Sequence, residues 1–168
     1  PWWTVVKRLV GESPTARSEL DPQGGFLVVC ASRPSGDSWN VKVLTRQGSA
    51  AFDEVESMGF TPNATLSLAI DEVATVLALG NGQDLESVKT DTLAYLDEEI
   101  VAVKAVNPQA NTVTVARGLL DTVPVAHPAG ARLWFAEGVE ALITEQYLSG
   151  ESVQVKLLPS TGQGRLAE

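Results

Sequence analysis

The sequence predicts a mainly β protein, built as small β-barrel or β-sandwich modules with one or two short helices near the N-terminus. Two patterns carry that expectation. Apolar residues recur with a period of two in short runs, and clusters of Gly, Pro, Ser, Asn and Asp separate those runs. A third observation sets the scale: 168 residues with 44% hydrophobic content suffice for one domain or two small ones.

The N-terminal part reads as helical. Trp2, Val5, Val6 and Leu9 follow the i, i+3, i+4, i+7 spacing of an amphipathic helix, with Trp3 and Val10 beside them, and Gly11 ends it. A second short helix is expected at 13–20, with Ser13 as N-cap, Pro14 at the first helical position and Asp21-Pro22 as the stop. From Gly25 the period changes. The run 26–31 is continuously apolar, as in a strand buried on both faces. Val41, Val43 and Thr45 alternate with Lys42, Leu44 and Arg46; Leu66, Leu68 and Ile70 alternate with small or polar residues; 73–79 is another apolar run. Arg33-Pro34-Ser35-Gly36-Asp37, Thr61-Pro62-Asn63 and Gly80-Asn81-Gly82 punctuate them as turns. The stretch 84–95 fits either a weak helix or a polar crossing loop. Beyond it, 100–106 and 112–117 form a hairpin through Asn107-Pro108-Gln109-Ala110-Asn111. Strands are expected at 131–136 and 152–158, and 159–165 reads as a linker. The expected division is a helix-plus-β segment at 1–81, a compact β module at 82–138, and a C-terminal strand and linker at 139–168 that either packs back on the first segment or extends the second.

Charge and rare residues exclude several functions. Lys and Arg number 12 against 21 Asp and Glu, a net charge of −9, and both halves share the deficit. With no basic arm or patch, direct binding to nucleic acid is not expected. One Cys and one His exclude a disulfide framework and a Cys/His zinc site. No apolar run reaches the roughly 18 residues of a membrane-spanning helix, so no membrane insertion by this segment is expected. No signal peptide stands out, and a chain that opens on Pro1 rather than Met reads as a segment of a longer protein.

Catalytic constellations are weak. Asp97-Glu98-Glu99 could supply paired carboxylates, but neighbours on a strand face opposite ways, so the triplet reads as the solvated start of a strand. Cys30 sits in an apolar run and reads as a small core residue. No G-x-S-x-G or H-E-x-x-H occurs, and any triad would depend on His127. No cofactor is expected. The informative stretch is 117–131, a long loop between two strands. Gly118 permits a left-handed backbone, Asp121 and Thr122 can bond nearby backbone, Pro124 and Pro128 fix φ, and Gly130 resets the chain direction. Leu119, Leu120, Val123 and Val125 favour internal packing, Arg117 is placed to pair with Asp121, and His127 reads as a polar plug. The candidate site is therefore a structural loop: Arg117, Gly118, Asp121, Thr122, His127 and Gly130.

These residues carry a resemblance. Asp97-Glu98-Glu99-Ile100-Val101-Ala102-Val103, then Val113-Thr114-Val115-Ala116-Arg117-Gly118, Asp121-Thr122, His127 and Gly130-Ala131 together resemble a module of tailed-bacteriophage structural proteins. Ser149-Gly150-Glu151-Ser152-Val153-Gln154-Val155-Lys156-Leu157-Leu158-Pro159 is similar to tail-tip or baseplate-hub proteins, which also occur in prophages and gene transfer agents. Pro1-Trp2-Trp3, Arg33-Pro34-Ser35 and Phe60-Thr61-Pro62 are more loosely similar. The resemblance implies a non-enzymatic virion component, a central segment of the hub that closes the tail tube and supports host-recognition parts. It implies a homotrimer in the intact protein, other tail proteins as partners, assembly in the bacterial host cytoplasm, and a final location in the virion tail. Two other readings compete. One is a glycan- or receptor-binding module using Trp2, Trp3, Trp39 or Trp134; the other is a peptidoglycan hydrolase domain.

Overall fold

A computed structural model of the chain describes residues 24–34, 36–136, 142–148, 152–162 and 164–165. The helices expected at 2–10 and 13–20 lie outside these residues. The protein is mainly β. It divides into two compact units, one drawn from 1–60 with 139–168 and the other from 61–138.

Among the described residues, the first unit holds two sheets. β1 (Gly24–Val28) pairs antiparallel with β10 (Leu142–Leu148). β2 (Ser38–Gln47) is flanked by β3 (Asp53–Met58) and β11 (Val153–Thr161), and β12 (Gly164–Arg165) folds back on the end of β11. The period-two pattern of β2 sends Val41, Val43 and Thr45 inward and leaves Lys42, Leu44 and Arg46 on the other face. Val29, Ala31, Val41, Val43 and Met58 form the core of this unit. The stretch 159–165 is therefore not a linker: Ser160 pairs with Arg165 and Thr161 with Gly164. Strands β3 and β10 carry no sequence forecast. In β3 the residues Asp53, Glu54 and Glu56 mask the apolar alternation.

The second unit is a closed six-stranded barrel. Its strands are β4 (Asn63–Leu66), β5 (Val76–Gln83), β6 (Leu93–Leu96), β7 (Glu99–Asn107), β8 (Thr112–Ala116) and β9 (Arg132–Phe135). They run in the order β4-β5-β8-β7-β6-β9, and β9 closes on β4. Each strand sends two alternate residues into the lumen: Ala64 and Leu66, Leu77 and Leu79, Ala94 and Leu96, Val101 and Val103, Val113 and Val115, Leu133 and Phe135. Side chains thus fill the interior, as expected of a small barrel. The ambiguous stretch 84–95 resolves into a short 3-10 turn at Leu85–Ser87 followed by β6, and Leu85 and Val88 join the core.

The barrel begins earlier than the expected module boundary at 81/82. Gly80-Asn81-Gly82 is not a turn but part of β5. Pairing shifts there, from Thr65↔Gly80 to Asn63↔Gln83, and Asn81 takes φ 50. The extra residue is a bulge that bends the strand and leaves it paired.

Candidate functional site: an ionic cluster closing one end of the barrel

All six neighbouring pairs in the barrel are antiparallel. Connections therefore alternate between its ends. The β4–β5 connection (67–75), the β6–β7 turn (97–98) and the β8–β9 loop (117–131) all emerge at the same end. Each sends a group into one cluster.

Its centre is Glu99. The residue pairs with Leu96 across the hairpin, and Leu96 faces the lumen. Glu99 therefore continues the inward row of Val101 and Val103. In the same way Arg117 continues the inward row of Val113 and Val115, one residue past β8. The two side chains meet over the core, Glu99 fully buried and Arg117 5% exposed. Arg117 Nε–H donates to Glu99 Oε1 at 2.6 Å, and an Nη2–H donates to Oε2 at 2.7 Å. This is the two-pronged arginine–carboxylate geometry that makes the strongest ionic hydrogen bonds.

The other guanidinium hydrogens reach backbone. Nη1 donates to the carbonyls of Asp71 and Ala74, at 3.1 and 2.9 Å, and Nη2 donates to the carbonyl of Val125 at 2.7 Å. All five donors of the guanidinium are thus used. Asp71 in turn accepts the N–H groups of Val73 and Ala74 on Oδ1, which shapes the turn that presents those carbonyls.

Glu99 also accepts the N–H of Gly118 at 3.0 Å and of Val125 at 3.3 Å. His127 Nε2 lies 3.0 Å from Glu99 Oε2, and its Nδ1 lies 2.8 Å from Asp97 Oδ2. The imidazole is 2% exposed, whereas Asp97 is half exposed. Each ring nitrogen is thus within hydrogen-bond distance of a carboxylate oxygen. Burial alone would raise the pKa of Glu99, but the bonds from Arg117, His127 and the amides of Gly118 and Val125 outweigh it and hold the value at about 2.

The expected loop residues divide between this cluster and its supports. Gly118 takes φ 63, and a Cβ there would meet Pro124 Cδ at 2.7 Å, so the position excludes a side chain on both grounds. Thr122 Oγ1 accepts the N–H of Ile100 at 3.1 Å and donates to the carbonyl of Leu119 at 2.7 Å. The Gly130 N–H donates to Leu66, at φ 87. His127 and Ile70 exchange both backbone hydrogen bonds, which joins the two long connections directly.

Three expectations are corrected. Arg117 does not pair with Asp121, because Glu99 and three carbonyls take its donors; Asp121 is an exposed turn residue at φ 65. Glu99 is not solvated, because strand parity turns it into the lumen. Val123 and Val125 do not pack internally; they are 72% and 46% exposed. Neither Glu99 nor Asp97 is among the site residues expected from the sequence.

No protein-family model matches the chain, and no curated protein matches it either. Among the described residues, no group of three or more His, Cys, Asp or Glu could hold a metal ion. Chemically, the cluster is a latch. Its acid, base and imidazole are spent on one another and on backbone, with none of the three more than 5% exposed.

Proposed function

We propose that this chain is a non-enzymatic structural segment of the tail of a phage or phage-like particle, part of the hub at the tail tip that supports host-recognition parts. One observation supports the structural role above the others. The residues that carry the family resemblance, from Asp97 through Arg117, Gly118 and Thr122 to His127 and Gly130, serve to fix three connections at one barrel end. A catalytic set would need an accessible acid, base or nucleophile in a substrate's reach, and here Glu99, Arg117 and His127 are enclosed. On this reading the intact protein is a homotrimer among other tail proteins.

The test is mass spectrometry on tailed particles purified from an induced culture of the organism that encodes the chain. Its peptides should copurify with the tail proteins at a fixed ratio. Their absence from intact particles overturns the reading.

A second reading is favoured by Trp39. It is 69% exposed, and it falls at a bulge where Thr161 pairs with Ser38 and Ser160 with Asn40. Bulges re-aim side chains, and an exposed indole can stack on a sugar ring. Binding of the chain to purified host surface polysaccharide, lost in Trp39→Ala, would favour glycan recognition.

A further inference from the structure

Exposed apolar side chains gather at the latched end of the barrel. Among the described residues of this unit, the exposed large hydrophobic side chains are Leu68, Val73, Val76, Val123 and Val125, at 46% to 74% exposure. All five lie on the two long connections at this end or on the first residue of β5 beside them. The latch fixes these connections before any contact is made. Arg117 bonds the carbonyls of Asp71 and Ala74, which bracket Val73, and the carbonyl of Val125 itself. Ile70 and His127 exchange backbone bonds between the same two connections. Valine is also stiff about its first side-chain torsion. Docking here therefore orders little that is not ordered already, and more of the contact energy appears as affinity. An apolar cluster held rigidly in water marks an interaction surface.

The chemistry around the cluster selects the partner. The connections at this end, 67–75, 97–98 and 117–131, carry the exposed carboxylates Asp71, Glu72, Asp97, Glu98 and Asp121. Their single Lys or Arg is Arg117, which is buried against Glu99. Asp71 and Asp97 serve the latch, whereas Glu72 and Glu98 have no side-chain partner among the described residues. The same connections hold no Phe, Trp or Tyr, so they offer no aromatic face for a sugar ring. An anionic membrane or a nucleic acid would bring negative charge against these carboxylates, and so would this same end of a second copy. A protein surface of opposite sign fits: apolar side chains against the valines, with Lys or Arg at the margin.

We propose that the latched barrel end is a docking surface for a cationic segment of a different protein, which sets apolar side chains on Leu68, Val73, Val123 and Val125 and basic groups on Glu72 and Glu98. The proposal deepens the tail reading by giving the chemistry of a partner, and rests on it for the biological role of the contact.

The test titrates the 15N-labelled chain with three end-capped octapeptides that alternate Leu with Lys, Leu with Glu, and Ser with Lys, and follows the backbone amides by NMR. The Leu–Lys peptide should shift the amides of Leu68, Val73, Val123 and Val125, saturably and with a Kd below about 1 mM. The other two peptides should bind at least about tenfold more weakly. Val73→Ser with Val123→Ser should weaken the Leu–Lys peptide about tenfold at any salt concentration. Glu72→Gln with Glu98→Gln should weaken it about tenfold at low salt and less at high salt. Neither pair should move the melting temperature, because all four side chains are exposed. The proposal is overturned by shifts that map elsewhere, by equal binding of the Ser–Lys or Leu–Glu peptide, or by variants that bind as the wild type does. Shifts of the same four amides on diluting the chain alone assign the surface to a second copy and overturn it too. Particle mass spectrometry separates the two claims. A chain present in particles but indifferent to the peptides loses the docking surface alone; a chain that binds them as expected but is absent from particles keeps the surface and loses the tail reading.

Discussion

Glu99→Gln removes one charge from the latch and leaves its shape nearly unchanged. In the native barrel the carboxylate receives Arg117 on two bonds, two backbone N–H groups and a ring nitrogen of His127. An amide offers a single acceptor oxygen and turns two more donors toward donors. Arg117 then stays buried with its charge unbalanced. Breaking a buried pair in this way costs about 3–5 kcal/mol, or about 6–20 °C in melting temperature for a chain of this size. The pH dependence gives a second, independent magnitude. The Glu99 pKa falls from 4.5 to about 2 on folding. At about 1.4 kcal/mol per tenfold change in the protonation equilibrium, that contributes about 3 kcal/mol. A lowered folded pKa stabilises fully above the unfolded value and is lost as pH falls through the folded one. The stability difference between wild type and Glu99→Gln should therefore be constant above pH 4.5 and shrink by about 3 kcal/mol on the way to about pH 2. The assay is urea unfolding at a series of pH values, read by hydrogen exchange at the barrel amides Val103 and Val115. Should Glu99→Gln fail to fold, Arg117→Lys serves instead: it keeps the charge and the pH window but loses the five-donor fork. A difference under about 1 kcal/mol at neutral pH, below the cost of one unsatisfied buried group, or one flat from pH 7 to 2, refutes the reasoning.

Arg117→Ala should cost about 3–5 kcal/mol, whereas Asp121→Asn should stay within about 0.5 kcal/mol because Asp121 is exposed and Asn tolerates the same left-handed backbone. Equal effects on urea midpoints would restore the Arg117–Asp121 pairing. Gly118→Ala meets both a left-handed φ and the Pro124 ring at 2.7 Å, while Gly130→Ala meets the φ alone. The first should therefore melt well below the second, which should lose about 1–2 kcal/mol. The apolar triple variant Glu99→Leu, Arg117→Met, His127→Leu should fold and lose less stability than Arg117→Ala, since well-packed apolar groups often replace buried ions without loss and what remains is the cost of the Gly118 and Val125 N–H groups left without their acceptor. Hydrogen exchange at the backbone amides of positions 70 and 127 should nevertheless rise in it, because Asp71, Ala74 and Val125 lose their donor; unchanged exchange would show that the latch does not hold the connections.

Most of the β architecture is legible because burial imposes a period of two, and Val41-x-Val43 or Val113-x-Val115 can face only one way. The latch was half legible. Glu99 shares the parity of Val101 and Val103, and Arg117 that of Val113 and Val115, so both fall on inward rows. That signal was outweighed by the general cost of burying a carboxylate, which holds only for one without partners. The partners at Asp71 and Ala74 were not legible, because a backbone carbonyl looks the same at every position and only the closed topology brings 67–75 beside 117–131. The bulge at Asn81 was hidden for a related reason. Gly-Asn-Gly suits a turn and a bulge equally, and the choice is made by Gln83 pairing with Asn63, twenty residues earlier in the chain.

An even-stranded antiparallel barrel sends its connections alternately to its two ends, so three of them must share an end without strand pairing to order them all. Apolar contacts could cover such an end but would not fix the direction of each connection, since burial is indifferent to orientation. Hydrogen bonds to carbonyls are directional, and the addresses here are three: Asp71 and Ala74 on one connection, Glu99 beside the hairpin, Val125 on the long loop. A lysine has three rotatable donors on a point charge. An arginine has five in a fixed plane. Glu99 both compensates the charge that brings those donors inside and ties Gly118, Val125 and His127 to the same point. The latch is therefore better understood as a device for shape than for stability. It holds the end of the barrel in one conformation while leaving Val73, Val123 and Val125 facing outward.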